Sequence, residues 1–238
     1  MTQILDVQGL NKHFLMHILN DKEIDALHDL SFSMGKGEII GLMGKSGSGK
    51  STLMKCIYRT YLPTSGSINY YSENYGMIDL AAADDFQILA LRKSEITYCS
   101  QFLSVIPRVS AVDVVAESLV KKGDSWEEAR HVAKAFLSRI GLPEELWDAY
   151  PSTFSGGEQQ RINVARSIIA RPDFLLIDEP TASLDQKTKD IVIEMVLNLK
   201  NNGTSILCIS HDQYAISKMA DRVIELKGGK IVPQTETV

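Results

Sequence analysis

Apolar and polar positions alternate along Ile4-Leu5-Asp6-Val7 and again along Leu27-His28-Asp29-Leu30-Ser31-Phe32, the period of strands with one covered face. Asn20-Asp21-Lys22 marks a turn between them. Ile39-Ile40-Gly41-Leu42-Met43, Phe174-Leu175-Leu176-Ile177 and Ser205-Ile206-Leu207-Cys208-Ile209-Ser210 are continuous apolar runs, as expected of strands buried on both faces. Pro63-Thr64-Ser65-Gly66 turns the chain into Ser67-Ile68-Asn69-Tyr70-Tyr71, Ile88-Leu89-Ala90-Leu91 ends a short helix, and Ile96-Thr97-Tyr98-Cys99 reads as another strand. Val223 to Leu226 and Lys230 to Val232 flank Gly228-Gly229 as a hairpin.

Between Phe102 and Ala149 the period changes to that of helices. Ser110 is placed to cap a helix over Ala111 to Val120. Ser125 and Glu128 form a capping box for a second, whose Trp126, Ala129, Ala133, Phe136, Leu137 and Ile140 share a face and which Gly141 and Pro143 stop. Trp126 and Trp147 fall on this apolar spacing and are read as packing residues. Flanked by strands, the block reads as a helical insertion in an α/β core: a core of about 1–101 and 171–238, and an insertion of about 102–170, in one domain of 1–238.

The strand at Ile39–Met43 runs into Gly44-Lys45-Ser46-Gly47-Ser48-Gly49-Lys50-Ser51-Thr52 and then the apolar Leu53-Met54-Lys55-Cys56-Ile57. Strand, glycine loop and helix in that order make a phosphate cradle. The glycines permit positive φ, the loop N–H groups turn inward, and the helix dipole points at the anion. Gly44, Ser46, Gly47, Ser48, Gly49, Lys50, Ser51 and Thr52 are the candidate ligands of a nucleoside triphosphate, with Lys50 on the β- and γ-phosphates and Ser51 on Mg²⁺. The buried strand at Phe174 delivers Asp178 and Glu179 to its carboxyl end, where Asp178 suits Mg²⁺ and Glu179 can orient or deprotonate a water for in-line attack. His211 ends the strand at Ser205 and can touch the γ-phosphate or hold that water. Phe14 can stack on adenine or fill the sheet's core, and both readings stay open. Ser155-Gly156-Gly157 opens a further helix, either as an ordinary N-cap or as a second phosphate cradle.

Composition narrows the class. With 238 residues, 44% hydrophobic and 23% charged, the chain has the makeup of a soluble globular protein, and its net charge of −5 excludes the basic footprint of a nucleic-acid binder. Cys56, Cys99 and Cys208, odd in number and each in an apolar stretch, read as reduced core thiols, which points to the cytoplasm. No window approaches the ~18 apolar residues of a membrane span, so direct membrane insertion is not expected.

Gly44 to Thr52, Gln101, Ser155 to Gln159, Leu175 to Glu179, Ser183 to Asp185 and His211 together resemble the motif set of ATP-binding cassette (ABC) ATPases, in order and over nearly the whole chain. The resemblance implies a P-loop NTPase core of ABC type with an antiparallel β subdomain and a helical insertion bearing the signature motif. It implies that Gln101 senses metal and γ-phosphate, and that Asp185 belongs to the nucleotide-binding set. It also implies that Ser155, Gly156 and Gly157 reach the γ-phosphate held by a second cassette, in a homodimer or with a related paralogue, so that two cassettes close head to tail. Phe154 stands where leucine is usual in that family and Glu158 where glutamine is usual. The added charge bears on contact with the facing nucleotide's ribose.

Tyr61-Leu62-Pro63, Ser100 to Ser110, Leu142 to Trp147 and Pro151 to Arg161 further resemble the L-subunit family of the bacterial phosphonate carbon-phosphorus lyase system. That resemblance implies a cytoplasmic ATPase partnered by soluble carbon-phosphorus lyase core subunits and supporting formation of α-D-ribose 1-methylphosphonate 5-triphosphate. The generic motifs alone fit the ATPase subunit of a membrane ABC transporter. A transferase acting on phosphonate by itself is a third reading, for which the sequence offers no phosphonate pocket.

Overall fold

The computed structural model describes residues 2–16, 22–104 and 107–232. Asn20 and Asp21 of the expected turn lie outside the described residues. Two sheets stack with helices around them. In the smaller, antiparallel sheet, ordered β2-β1-β4-β5, β1 (Gln3–Met16) pairs with β2 (Lys22–Gly35) and β4 (Ser65–Ser72), and β4 pairs with β5 (Gly76–Asp79). Both long strands outrun their alternating stretches. Register shifts between Val7 and Leu10, and from Leu10 to His13, break the period of two without ending the pairing.

The larger sheet has the order β10-β9-β3-β8-β7-β6. β3 (Ile39–Met43), β6 (Ile96–Cys99), β7 (Phe174–Asp178), β8 (Ser205–Ile209) and β9 (Arg222–Lys227) run parallel, and β10 (Lys230–Val232) returns antiparallel at one edge. Every residue of β7 and β8 is buried, which is why both read as continuous apolar runs. Truncating a buried leucine there, such as Leu176, costs about 2–5 kcal/mol.

Helices α1 (Lys50–Ile57), α2 (Asp85–Ser94), α3 (Ala111–Val120), α4 (Trp126–Arg139), α5 (Gly156–Ile168), α6 (Gln186–Asn201) and α7 (Gln213–Met219) complete the chain, with short 3-10 turns at Glu144–Leu146 and Pro151–Thr153. The expected caps form: Ser110 accepts from the Asp113 N–H, and Ser125 and Glu128 bond reciprocally. One apolar cluster joins the two sheets around Leu53, Ile68 and Leu207; a second packs Ile177, Val196 and Ile216 on the other face of the larger sheet; a third holds Val115, Ala133, Leu137 and Ile162 in the helical stretch.

Trp147 packs against that third cluster and donates its indole N–H to the Leu142 carbonyl at 3.0 Å. Trp126 departs from the expectation: it is 46% exposed, and the Arg130 guanidinium lies 5.6 Å from its ring. As the first helical residue it leans over the N-terminal turn instead of onto the buried Ala129, Ala133 and Leu137 stripe. All three cysteines are buried and free. No helix among the described residues is long and apolar enough to cross a membrane.

Candidate functional site

Strand order decides which loops meet. β3, β8, β7 and β6 are neighbours and parallel, so the segments leaving their carboxyl ends emerge side by side. These segments are the glycine loop, Ser210–His211, Glu179 and Ser100–Gln101. Together with Phe14, Ile24, Asp25 and Ala26 from the antiparallel sheet they wall a cavity of about 590 Å³. Ser46 to Thr52, Gln101, Asp178, Glu179 and His211 all line it.

The glycine loop has the backbone its sequence demands. Gly44, Gly47 and Gly49 have φ of 143°, 77° and 104°. A Cβ on Gly44 would collide with the Leu226 carbonyl, and one on Gly49 would come within 2.6 Å of the Ala26 carbonyl. Gly47 has open space around it, as a position facing a ligand requires. Lys50 is 6% exposed and donates from Nζ to the carbonyls of Gly44, at 2.7 Å, and Lys45, at 3.0 Å. Burial holds its ammonium below the ordinary lysine pKa, against the pull of Glu179 and Asp178. A charged amine in so enclosed a place, facing an open cavity, is suited to an anion.

Ser51 Oγ donates to Asp178 Oδ2 at 3.1 Å, pairing two of the candidate metal ligands across the cavity floor. Burial pushes the carboxyls of both Asp178 and Glu179 above their usual range, with the Ser51 hydroxyl opposing at Asp178 and the His211 N–H opposing at Glu179. A carboxyl pushed up by desolvation is a better base than one in water. His211 donates its backbone N–H to Glu179 Oε2 at 3.3 Å, and its Nε2 lies 3.6 Å from Glu179 Oε1, beyond hydrogen-bond reach. Glu179 Oε1 and Ser48 Oγ are buried without a hydrogen-bond partner among the described residues. Orphaned oxygens of this kind are rare in folded proteins. Here one can take a water and the other a phosphate, and Ser51, Gln101 and Asp178 supply the hard oxygens a Mg²⁺ ion needs, so the residues fit MgATP.

Phe14 lies on the cavity wall. Its ring meets Tyr61 edge-on at 5.2 Å and has Lys12 Nζ 4.7 Å from its centroid, leaving it both packed and available to a base.

The Ser155-Gly156-Gly157 tip is not part of this wall. Ser155 caps α5, and Glu158 Oε2 accepts both its N–H, at 2.8 Å, and its hydroxyl, at 2.7 Å. Those bonds hold the Glu158 carboxyl below the ordinary glutamate range. Asp185 also stands off the wall: it caps α6 through the Thr188 N–H and hydroxyl and pairs with Arg161 at 3.2 Å. Both tips are exposed, available to something outside this chain.

Ile24, Asp25, Ala26, Ala182 and Ile209 line the cavity without having been signalled by any motif. The first three come from a strand of the other sheet, and nothing in their local pattern marks the approach. The residue type that betrays them is Gly49, whose missing Cβ makes room for the Ala26 carbonyl.

Comparison with known proteins agrees with this arrangement. The family described as "ABC transporter" matches residues 27–182. The oligopeptide transport ATP-binding protein OppF of Bacillus subtilis is 33% identical over 97% of this chain and 74% of its own length. A macrolide export ATP-binding/permease protein MacB of Syntrophobacter fumaroxidans is 34% identical over 99% of this chain, which spans only 32% of that protein. Among solved structures, a dimeric post-hydrolysis state of the ATP-binding cassette MJ0796 bound to ADP and Pi superposes with a TM-score of 0.86 at 30% identity, covering 96% of each chain. A second dimeric MJ0796 structure, of a bacterial ABC transporter cassette, gives the same TM-score at 29% identity. With its P-loop, carboxylate pair and signature helix on this scaffold, the chain belongs to the ABC transporter family of ATP-binding cassettes.

Proposed function

We propose that the chain is an ATPase that binds MgATP in the 590 Å³ cavity and hydrolyses it when a second cassette closes over the nucleotide. One observation carries the reading: Lys50, Ser51, Asp178, Glu179 and His211, scattered over the sequence, line a single cavity at the carboxyl ends of adjacent strands.

In this reading Lys50 and the loop N–H groups hold the β- and γ-phosphates, while Ser51, Gln101 and Asp178 hold Mg²⁺. When bound there, the ion would neutralise charge on the phosphates. Glu179 Oε1 accepts a proton from a water as the water oxygen bonds to the γ-phosphorus and the bond from that phosphorus to the β,γ-bridging oxygen breaks, leaving ADP and phosphate. His211 positions the water or the γ-phosphate. Ser155, Gly156 and Gly157 cover the γ-phosphate of the facing cassette, with Asp185 beside that junction; dimeric MJ0796 structures support a paired arrangement. The test is ATP turnover by purified protein, compared with the Glu179→Gln variant: absence of Glu179-dependent hydrolysis under conditions that pair the cassettes would refute it.

The finer reading is a cytoplasmic cassette of a phosphonate carbon-phosphorus lyase system, supporting formation of α-D-ribose 1-methylphosphonate 5-triphosphate alongside soluble core subunits. Its support is the run of lyase-like segments at Tyr61–Pro63, Ser100–Ser110, Leu142–Trp147 and Pro151–Arg161. A second reading, the ATPase subunit of a membrane transporter, is favoured by the oligopeptide-transport and macrolide-export names of the relatives. Native co-purification separates them. Recovery with soluble phosphonate enzymes supports the first, and recovery with an integral membrane permease alone overturns it.

A further inference from the structure

His211 has few contacts of its own to hold it. Its side chain is 57% exposed, its Nε2 lies 3.6 Å from Glu179 Oε1, and its ring makes no hydrogen bond among the described residues. The rotamers open to such a ring, and so where it points, depend on the backbone that carries it. That backbone is tied down on both sides. The His211 N–H goes to Glu179 Oε2 at 3.3 Å, and the N–H of the next residue, Asp212, goes to the hydroxyl of the fully buried Ser210 at 3.0 Å. The Asp212 carboxylate makes the third tie. Its Oδ1 accepts the Ala215 N–H at 3.2 Å and caps α7, and its Oδ2 accepts from Lys189 Nζ, on α6, at 2.6 Å.

The Lys189 bond is sheltered: the two side chains are 25% and 20% exposed. It is the main reason that the Asp212 carboxyl stays below the usual aspartate range. Lys189 makes a second bond, since its backbone N–H donates to the Asp185 carbonyl at 2.9 Å in the first turn of α6. Asp185 is the residue placed beside the junction with a second cassette, and its side chain pairs with Arg161 of α5, the helix tipped by Ser155. One residue therefore holds the junction by its main chain and the neighbour of His211 by its side chain. Lys189 itself does not line the nucleotide cavity.

We propose that Lys189 is a positioning residue for His211, tying the placement of the imidazole to the seating of Asp185 against a second cassette. The inference rests on the ATPase reading and deepens it. The same two helices supply an internal contrast. Tyr214 Oη, on α7, donates to Asp190 Oδ1, on α6, at 2.8 Å, one residue along from Lys189 but holding no residue that flanks His211. A clamp that only joined α6 to α7 would make the two bonds equivalent. A positioning role makes the Lys189 bond alone matter to catalysis, because a small misplacement of a reacting group costs rate and not binding.

The test uses the full chain and three readouts: kcat, ATP affinity, and ATP-dependent pairing in the Glu179→Gln background. Lys189→Met should lower kcat about 10- to 100-fold, with ATP affinity and pairing as in wild type. Lys189→Arg, which keeps a charged donor in reach of the carboxylate, should recover most of that loss, and Tyr214→Phe should keep the wild-type kcat. If Lys189→Met fails to fold, Lys189→Gln, which is neutral but still polar, answers the same question. Wild-type kcat in the Lys189 variant, an equal fall in Tyr214→Phe, or a loss of ATP affinity or pairing in place of kcat overturns the proposal while leaving the ATPase reading intact. Wild-type protein without Glu179-dependent turnover removes the ATPase reading, and the inference with it.

Discussion

The side-chain amide of Gln160, buried in α5, donates to the main-chain carbonyl of Glu179 at 3.0 Å. Glu179 has a φ of 53°, a left-handed conformation that costs a non-glycine residue on the order of 1–3 kcal/mol. The helix tipped by Ser155 is thereby fastened to the strained backbone of the residue proposed to activate water. Movement of that helix, as when a second cassette closes on Ser155, reaches the Glu179 backbone through one hydrogen bond.

Gln160→Met keeps volume and helix propensity but removes one of the two donors to the Glu179 carbonyl, which keeps the Ala182 N–H at 3.2 Å. The expected outcome is a stability loss of about 0.5–1.5 kcal/mol, that of one hydrogen bond, and a kcat lowered about tenfold with ATP affinity unchanged. Denaturant unfolding and steady-state kinetics measure the two. A variant with wild-type kcat would show that the bond has no part in positioning Glu179.

Glu179→Gln should bind ATP as wild type does, hydrolyse it about 10²–10⁴-fold more slowly, and accumulate in the closed pair, because only proton acceptance is lost. Burial raises the Glu179 pKa, so the folded protein holds that proton more tightly than the unfolded chain does. Its contribution to stability is therefore present at low pH and is lost as pH rises through the raised value. Nucleotide-free Glu179→Gln should accordingly gain stability relative to wild type as pH climbs through that window, and the acid limb of the wild-type rate profile should lie above the usual glutamate range. Melting temperatures converging at high pH would contradict this sign.

Much of the site was legible because its chemistry is local. Gly44 to Thr52 states its own geometry, and the apolar runs ending at Asp178 and Ser210 announce buried strands whose exits must share an edge. Gln160, Ala26 and the φ of Glu179 were not legible. Each depends on a contact with a distant segment, and a buried glutamine or a strand alanine carries no local sign of what it meets. Trp126 misled for a different reason: helical spacing reports the direction of a Cα but not the backward lean of a first-turn side chain.

Lys50→Ala deletes the buried ammonium that bridges the Gly44 and Lys45 carbonyls and is assigned to the phosphates. A charge-assisted contact of ~1.5–3 kcal/mol disappears, so ATP affinity should fall roughly 10- to 100-fold. AMP, which has no phosphate in reach of Nζ, should bind the two proteins equally. Fluorescent-nucleotide titration checks both, and equal ATP affinity would remove Lys50 from the phosphate site.

Gly156 and Gly157 separate packing from function within one helix turn. A Cβ on Gly157 would come within 3.1 Å of the Ser183 carbonyl, so alanine there must displace a backbone that is itself left-handed, with φ of 61° at Ser183. A Cβ on Gly156 meets nothing within 4 Å, and its φ is not positive. Gly157→Ala should therefore lower the melting temperature of nucleotide-free protein. Gly156→Ala should leave it unchanged or raise it, by up to about 1 kcal/mol of helix propensity. If the open space at Gly156 is kept for the phosphate of a facing nucleotide, the same harmless methyl group should abolish ATP-dependent pairing, read by light scattering in the Glu179→Gln background. Pairing of the Gly156→Ala double variant as tightly as its parent would mean that nothing closes on this helix tip, and the shared nucleotide site would have to be abandoned.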